Sequence, residues 1–213
     1  MQRLNTYKNI KPVIAIDGTA GSGKGTLAKK LSEELKFDHL DTGLLYRIYA
    51  YESINNEKNI DIKKWFKNEN DFRKLRTENI SKVASRISKL KYVRDSLITL
   101  QRNFADYPPS GIGSVIDGRD IGTIIVPKAE IKFFVSADIE VRALRRVKQL
   151  NLSSSSYKST LKNMVDRDNQ DSKRKISPLK KAKDSFFIDT SNLKEREVFE
   201  IAINYIKKNT DFI

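Results

Sequence analysis

The sequence predicts one α/β domain in which helices cover both faces of a parallel sheet. Short apolar runs rich in β-branched residues recur along the chain and have the length of buried strands. Segments with helical apolar spacing alternate with these runs, which is typical of doubly wound folds. The chain has 213 residues and is 38% hydrophobic, enough for the core of one domain.

The N-terminal half predicts the first strand and the first helix most clearly. Val13–Ile16 is apolar, β-branched and bounded by Pro12 and Gly18, as expected of a buried strand. Leucine and alanine recur at helical spacing over Lys24–Lys36. The other elements expected here are a brief strand at Phe37–Leu40, a helix over Thr42–Ile54, a polar loop over Asn55–Asp71 with one short helix around Trp65, and helices over Asn79–Phe104 with a break near Lys89–Tyr92.

In the C-terminal half, prolines and glycines separate the elements. Tyr107–Gly111 contains two prolines and a glycine and should end the preceding helix. Asp138 should cap a helix that runs to about Leu150, and Ser153–Ser156 should be a polar linker. The remaining elements expected are strands at Ser114–Asp117, Ile131–Val135 and Phe186–Asp189, and helices from Tyr157 to about Asp168 and over Lys194–Lys208.

Charge and composition narrow the classes of function. The formal net charge is +14, which reflects either an anionic partner (nucleotide, nucleic acid or anionic lipid) or a lysine-rich composition. The chain has no cysteine, and His39 is its one histidine, which argues against disulfides, thiolate metal sites and histidine-based triads. No apolar run approaches the roughly 18 residues of a membrane span, and no apolar signal core is seen, so we expect a cytoplasmic protein.

A glycine-rich segment carries the clearest chemical signal. It follows the first strand, opens the first helix and matches the Gly-x4-Gly-Lys pattern of a phosphate-binding loop. The loop backbone and the helix N-terminus favour anions, and Lys24 can reach the β- and γ-phosphates of a nucleotide. Gly25 replaces the hydroxyl residue that binds Mg²⁺ in GTPases, which favours a small kinase. The predicted ATP-binding residues are Gly18, Thr19, Ala20, Gly21, Ser22, Gly23, Lys24, Gly25 and Thr26.

Two further groups of residues fit a phosphate site. Asp117–Asp120 ends the third predicted strand, and ligands of open α/β sheets bind at that edge. Arg142, Arg145 and Arg146 have i, i+3, i+4 spacing and should share one helix face. Arginine binds phosphate through two parallel hydrogen bonds, which lysine cannot do.

Together these motifs resemble the bacterial cytidylate kinase family over about residues 12–208. The Asp117–Thr123 block (DGRDIGT) and the Thr42–Arg47 block are the most specific matches. The other matching blocks are Ile16–Thr26, Leu40–Asp41, Ala84–Ser85, Val93–Arg94, Arg142 with Arg145 and Arg146, Arg167–Asp168 with Asp171 and Arg174, and Pro178–Leu179.

The resemblance implies a P-loop nucleoside monophosphate kinase fold with a five-stranded parallel sheet, in one domain over residues 1–213. It implies a shortened nucleotide-binding insert at about residues 55–85 and a lid at about residues 145–180. The implied reaction is phosphoryl transfer from ATP to CMP or dCMP with Mg²⁺, which the phosphates and water would mainly hold. We expect a monomer with no obligatory nucleic acid and no membrane partner.

The resemblance also implies roles for individual residues. Thr42, Tyr46 and Arg47 would line the CMP site, with Arg47 on the CMP phosphate. Ser85, Arg94 and Asp120 would read the cytosine edge, and Asp171 would hold the sugar hydroxyls. The implied catalytic residues are Lys24, Arg119, Arg145, Arg167 and Arg174, of which Arg119, Arg167 and Arg174 would also contact CMP.

The sequence departs from the family pattern at three places. Thr42 stands where the family often has serine, and Gln170 stands where some members have arginine. Because glutamine lacks the positive charge of arginine, we expect the lid to close more weakly or to depend on Lys173 for closure. About 28 residues separate Arg47 from Arg76, so the shortened insert leaves discrimination of CMP from UMP or dCMP open.

Three alternatives stay open at this point. The first is another small P-loop kinase, acting on UMP or AMP. The second is a nucleic-acid-binding protein that uses ATP as a switch, which predicts steeply salt-dependent binding. The third is an inactive P-loop scaffold, although Lys24, Arg119 and Asp120 argue against it. His39 is expected to end the second strand, and Trp65 to anchor the insert.

Overall fold

A computed structural model of the protein describes residues 11–55, 60–67 and 72–211. Its five strands are β1 (Val13–Gly18), β2 (Asp38–Asp41), β3 (Ser114–Gly118), β4 (Ile131–Ser136) and β5 (Phe186–Asp189). They pair in parallel in the order β2-β3-β1-β4-β5. The predicted five-stranded parallel sheet is confirmed.

Helices cover both faces of this sheet. They are α1 (Lys24–Leu35), α2 (Thr42–Ile54), α3 (Ile62–Lys67), α4 (Glu78–Ile87), α5 (Lys91–Asp106), α6 (Ile139–Gln149), α7 (Tyr157–Lys173) and α8 (Glu195–Asn209). Successive β1 residues alternate between two cores: Val13 and Ala15 pack with α2, α4 and α5, whereas Ile14 and Ile16 pack with α1 and α8. Both faces of the strand are therefore apolar, as expected of a central parallel strand.

The structure corrects the predicted elements in three places. Helix α7 continues to Lys173, beyond the predicted end near Asp168, so Arg167 and Asp171 lie one turn apart on the same helix. Asp138 is the N-cap residue of α6, but its side chain accepts no capping hydrogen bond within the described part of the chain. A π-helical turn at Ile121–Ile125 follows Asp120, and the sequence pattern gave no sign of it.

The predicted insert is described only in part, because residues 56–59 and 68–71 of it lie outside the described ranges. The predicted short helix around Trp65 is α3. Trp65 is buried, and its indole Nε1 donates a hydrogen bond to Glu52 on α2. This contact ties the insert to the core. Among the described residues, no helix combines the length and apolar character that crossing a membrane requires.

The close approach of β1 to β4 gives a test of this packing. A Cβ added at Gly18 would lie 2.0 Å from the backbone oxygen of Val135. We expect Gly18→Ala to lower the free energy of unfolding by about 1–3 kcal/mol or more, because overpacking forces the strands apart. Gly25→Ala is the matched control, since its Cβ would lie 3.9 Å from Asp117 Oδ2, in ordinary contact. Urea denaturation of both variants measures the effect, and equal stabilities would contradict it.

Candidate active site

A cleft of about 1020 Å³ lies at the carboxyl ends of β1, β2 and β3, where open α/β sheets bind ligands. Eleven lysine and arginine side chains line it against five carboxylates. Of the predicted site residues, all line this cleft except Gly18 and Thr19, which lie where β1 passes into the loop. The cleft is therefore strongly positive, as an anion site requires.

Side chains from distant elements hold the carbonyls of the glycine-rich loop. Arg119 Nη1 donates to the Gly18 oxygen at 2.5 Å, and Arg142 Nη1 donates to the Ala20 oxygen at 3.2 Å. Thr190 Oγ1 donates to the Ser22 oxygen at 2.9 Å. Gly23, with φ of 87°, is the N-cap residue of α1, and this left-handed conformation favours glycine. The loop is thus fixed in shape directly before a helix N-terminus.

Lys24 is part of a buried chain of charges with Asp117 and His39. Lys24 Nζ lies 3.3 Å from Asp117 Oδ2, and His39 Nε2 lies 2.9 Å from Asp117 Oδ1. Burial alone would raise the pKa of Asp117, but the Lys24 charge and the His39 contacts outweigh burial and lower it. Burial lowers the pKa of Lys24, and Asp117 opposes that shift. Asp117 thus positions the lysine ammonium.

A second centre of charge surrounds the carboxylate of Asp171. Arg119 Nε lies 3.0 Å, Arg174 Nη1 3.7 Å and Arg167 Nε 3.9 Å from its oxygens. Burial raises the pKa of Asp171, but the three arginine charges outweigh burial and lower it. Burial, together with the Arg119 charge, lowers the pKa of Arg167 to about 9. One carboxylate therefore gathers three of the predicted catalytic arginines.

The residues predicted to read the base also come together. Arg94 Nη2 donates to Asp120 Oδ2, and Arg174 Nη2 lies 3.7 Å from Asp120 Oδ1. The Arg94 guanidinium lies 5.7 Å from the centre of the Tyr46 ring, within the range of a cation–π contact. Ser85 is buried on α4 and lines the same end of the cleft. These groups form a polar pocket with one carboxylate acceptor.

Thr42 and Arg47 lie between the two ends of the cleft. The Thr42 hydroxyl donates to the Asp117 backbone oxygen at 2.8 Å, so it supports the chain before Arg119. Burial lowers the pKa of Arg47, and nearby Asp41 opposes the shift. Within the described residues, Arg47 Nε is buried without a hydrogen-bond partner. Such a donor is costly unless a ligand accepts from it.

The side chains of Arg142 and Arg145, which the helical spacing of α6 predicts on one face, bond different parts of the chain. Arg142 is 5% exposed and donates to the Ala137 oxygen, while its Nη1 lies 2.7 Å from Asp168. Arg145 bonds the Oγ1 and the backbone oxygen of Thr190, at 2.9 and 2.7 Å. Long side chains at i, i+3 and i+4 start from one face but here reach different elements. Arg142 therefore braces the loop, and Arg145 binds Thr190 at the edge of the same cleft.

Asp17 is a buried carboxylate that is not among the predicted site residues. Its oxygens accept the backbone N–H groups of Ile121 at 2.7 Å and Gly122 at 2.8 Å. These bonds anchor the π-helical turn that follows Arg119 and Asp120. Burial raises the pKa of Asp17 to about 7, although the two N–H groups oppose the rise. Its place at the end of β1, across from the Asp117–Asp120 block, is the signal that could have identified it.

Comparisons with known proteins agree on one family. The family model of cytidylate kinase matches residues 14–73 and 57–208. A cytidylate kinase from Paramagnetospirillum magneticum is 39% identical over 206 residues, which cover 91% of this chain and 97% of that protein. One from Bartonella henselae is 41% identical, with 91% and 94% covered. One from Vibrio cholerae is 36% identical, with 92% and 96% covered.

Solved structures resemble this chain in fold. A shikimate kinase from Bacteroides thetaiotaomicron superposes with a TM-score of 0.50 at 12% identity, covering 92% of this chain and 97% of its own. An uncharacterized protein from Eubacterium ventriosum reaches 0.56 at 17% identity, covering 92% and 99%. The fold is therefore that of small P-loop kinases.

The raised pKa of Asp17 predicts an unusual pH dependence of stability. Between the ordinary value of 3.8 and about 7, the folded chain holds a proton that the unfolded chain releases. The free energy of unfolding should therefore fall as pH rises through this window. Asp17→Asn should lack this slope.

Urea denaturation at several pH values between 4 and 8 measures the difference between wild type and Asp17→Asn. Asp95→Asn, which changes an exposed carboxylate paired with Lys91, is the control and should parallel the wild type. Parallel curves for wild type and Asp17→Asn would contradict the assignment.

Proposed function

The chain belongs to the cytidylate kinase family, and we propose that its cleft transfers the γ-phosphoryl group of ATP to CMP or dCMP. The observation that carries this proposal is the meeting of three features in one cleft. A phosphate-binding loop with Lys24 faces the arginine cluster on Asp171, and the pocket of Ser85, Arg94 and Asp120 continues from that cluster. A site of this kind holds two nucleotides with their phosphates together.

In the proposed reaction, a phosphate oxygen of CMP attacks the γ-phosphorus of ATP in line. The new phosphorus–oxygen bond forms as the bond to the β–γ bridging oxygen breaks, giving CDP and ADP with no covalent enzyme intermediate. The protein contributes positioning and neutralisation of charge. Lys24 binds the ATP phosphates, and Arg47 holds the CMP phosphate. The transferring group is stabilised by Arg119, Arg145, Arg167 and Arg174.

The pocket at the base end fits cytosine by hydrogen-bond pattern. The cytosine 4-amino group donates, whereas N3 and O2 accept. Asp120 offers an acceptor for the amino group, and Ser85 and Arg94 offer donors for the other two atoms. Asp171, which lies beside this pocket, is proposed to hold the sugar hydroxyls.

Magnesium would be held in this site mainly through the phosphates of ATP. Among the described residues, no group of three His, Cys, Asp or Glu side chains could cage a metal ion, and Gly25 offers no hydroxyl. These residues fit an ion that phosphates and water hold, as is usual for magnesium, while the loop and Lys24 hold those phosphates. When bound, the ion neutralises charge on the β- and γ-phosphate oxygens.

Helix α7 belongs to the predicted lid. It lies beside α4, most of which falls within the predicted insert. Asn163 donates to Glu78 Oε1 at 2.7 Å, and Arg174 donates to Ser88 Oγ at 3.3 Å. These contacts support a lid that closes over the arginine cluster. Closure excludes water from the phosphates and so favours transfer over hydrolysis of ATP. We further infer that the protein acts in the cytoplasm as a monomer, with no obligatory nucleic-acid partner.

Removal of the loop lysine tests the phosphate site. We expect Lys24→Ala to lower kcat for CDP formation by about 10³-fold, because a preorganised charge on the transferring phosphate is lost. Lys208→Ala, at an exposed position on α8, should retain wild-type activity. Circular dichroism checks that both variants fold. Near-normal CDP production by folded Lys24→Ala would contradict the assignment.

A coupled assay of ADP release with Mg-ATP tests the proposed function as a whole. CMP, dCMP, UMP, AMP and GMP are compared as acceptors, and strong responses to CMP and dCMP are expected. Similar activity with CMP, dCMP and UMP would support phosphoryl transfer but would contradict the selection of cytosine by Ser85, Arg94 and Asp120. No response to any acceptor would overturn the kinase assignment, and salt-dependent nucleic-acid binding would be measured next.

A further inference from the structure

We propose that Gln170 fixes the hydroxyl of Ser85 as a hydrogen-bond donor toward the nucleotide base, and that it thereby favours cytosine over uracil. This inference rests on the proposed function, since it concerns base selection in the same cleft. Gln170 is a positioning residue here: it acts on the base through Ser85. It lies on α7, whereas Ser85 lies on α4.

The contact between the two residues has a defined donor and acceptor. Gln170 Nε2 lies 3.0 Å from the Ser85 backbone oxygen and 2.8 Å from Ser85 Oγ. A backbone oxygen can only accept, so the amide nitrogen, not the amide oxygen, must face it. The same nitrogen has a second hydrogen for Oγ, and an amide nitrogen does not accept hydrogen bonds. Ser85 Oγ is therefore the acceptor in this pair.

This assignment leaves the Ser85 hydroxyl hydrogen available to a ligand. Within the part of the chain that the structure describes, Ser85 Oγ makes only the hydrogen bond with Gln170. The side chain is buried and lines the cleft, so a hydrogen that points away from Gln170 is offered to the base pocket. The Ser85 backbone oxygen also accepts from Ser88 Oγ at 2.8 Å, which holds this turn of α4 in place.

In this proposal Ser85 pairs with the ring nitrogen N3 and Arg94 with O2, and a donor at N3 distinguishes the two pyrimidines. N3 of cytosine carries a lone pair and accepts, whereas N3 of uracil carries a hydrogen and donates. Gln170 occupies one of the two lone pairs of the Ser85 hydroxyl, so its hydrogen pairs with N3 of cytosine, whereas N3–H of uracil must compete for the one lone pair that remains. Without Gln170 both lone pairs are free, and the hydroxyl serves either base. Asp120 selects at the 4-position, and Gln170 adds a second, independent selection at the ring nitrogen.

The location of Gln170 on the predicted lid links this selection to closure. Seven residues earlier on each helix, Asn163 donates to Glu78, so two contacts two turns apart hold α7 along α4. The Asn163 contact joins the same helices through the same type of group but does not involve Ser85. A substitution at Asn163 therefore tests the contact between the two helices without changing the bond to the Ser85 hydroxyl.

The test compares kcat/KM for CMP and for UMP. Gln170→Met keeps the length of the side chain but removes both donors, and we expect the CMP-to-UMP ratio to fall about tenfold, the worth of one hydrogen bond of about 1.4 kcal/mol. Gln170→Glu replaces the donor by an acceptor, so the Ser85 hydroxyl should turn toward it, and the ratio should fall further. KM for ATP should change little in either variant. Calorimetric binding of CMP and UMP without ATP gives the same comparison independently of turnover.

Two controls make the result decisive. Asn163→Leu removes the other contact between α7 and α4 and should leave the CMP-to-UMP ratio unchanged. In a Ser85→Ala background, Gln170→Met should change the ratio no further, because the hydroxyl is absent. If Gln170→Met leaves the CMP-to-UMP ratio of kcat/KM unchanged, with or without an equal loss for both nucleotides, the inference is overturned. Activity of the wild type with CMP would still support the proposed function in that case. A wild-type chain inactive with CMP would overturn the proposed function and the inference with it.

Discussion

The excess of buried positive charge in the cleft is the constraint on which the rest of the site depends. Burial lowers the pKa of Lys24, Arg47, Arg167 and Arg174, which means that each guanidinium or ammonium is held at a cost in free energy. Among the described residues, Arg47 Nε, Arg167 Nε and Arg174 Nη2 are buried without a hydrogen-bond partner. In the proposed function, phosphate oxygens of the two nucleotides would supply the missing acceptors and balance this charge.

Three buried carboxylates hold cations that line the cleft. Asp117 holds Lys24, Asp120 holds Arg94, and Asp171 gathers Arg119, Arg167 and Arg174. The positions of Asp117 and Asp120 follow from the sheet, because β3 carries Asp117 near its end and leads directly to Asp120, whereas Asp171 lies on α7. A fourth carboxylate, Asp17 at the end of β1, binds the turn after Asp120. The parallel strands therefore set the spacing between the loop and Arg119.

The sequence was sufficient to predict the elements whose local patterns are strong. Helix α2 has the predicted bounds Thr42–Ile54, and the glycine-rich loop lies between β1 and α1 as expected. Helix α7 was predicted too short, because its last turn is polar on every side and its burial depends on arginines from elsewhere. The Gln170–Ser85 contact joins residues 85 positions apart, and no local pattern encodes such a contact. The partners of Arg142 could not be predicted, because helical spacing fixes the face of a side chain but not the element that its guanidinium reaches.

The central claim is that one continuous cleft holds ATP and CMP with their phosphates in line. Titration calorimetry with P1-(adenosine-5′)-P5-(cytidine-5′) pentaphosphate, which joins both nucleosides through one phosphate chain, tests it most directly. The structure predicts one molecule bound per chain, more tightly than ATP or CMP, since the second half binds without a second loss of translational freedom. That molecule should exclude both ATP and CMP. If ATP or CMP still bound fully to the chain saturated with this analogue, the two nucleotides would not share one cleft, and the account would be contradicted.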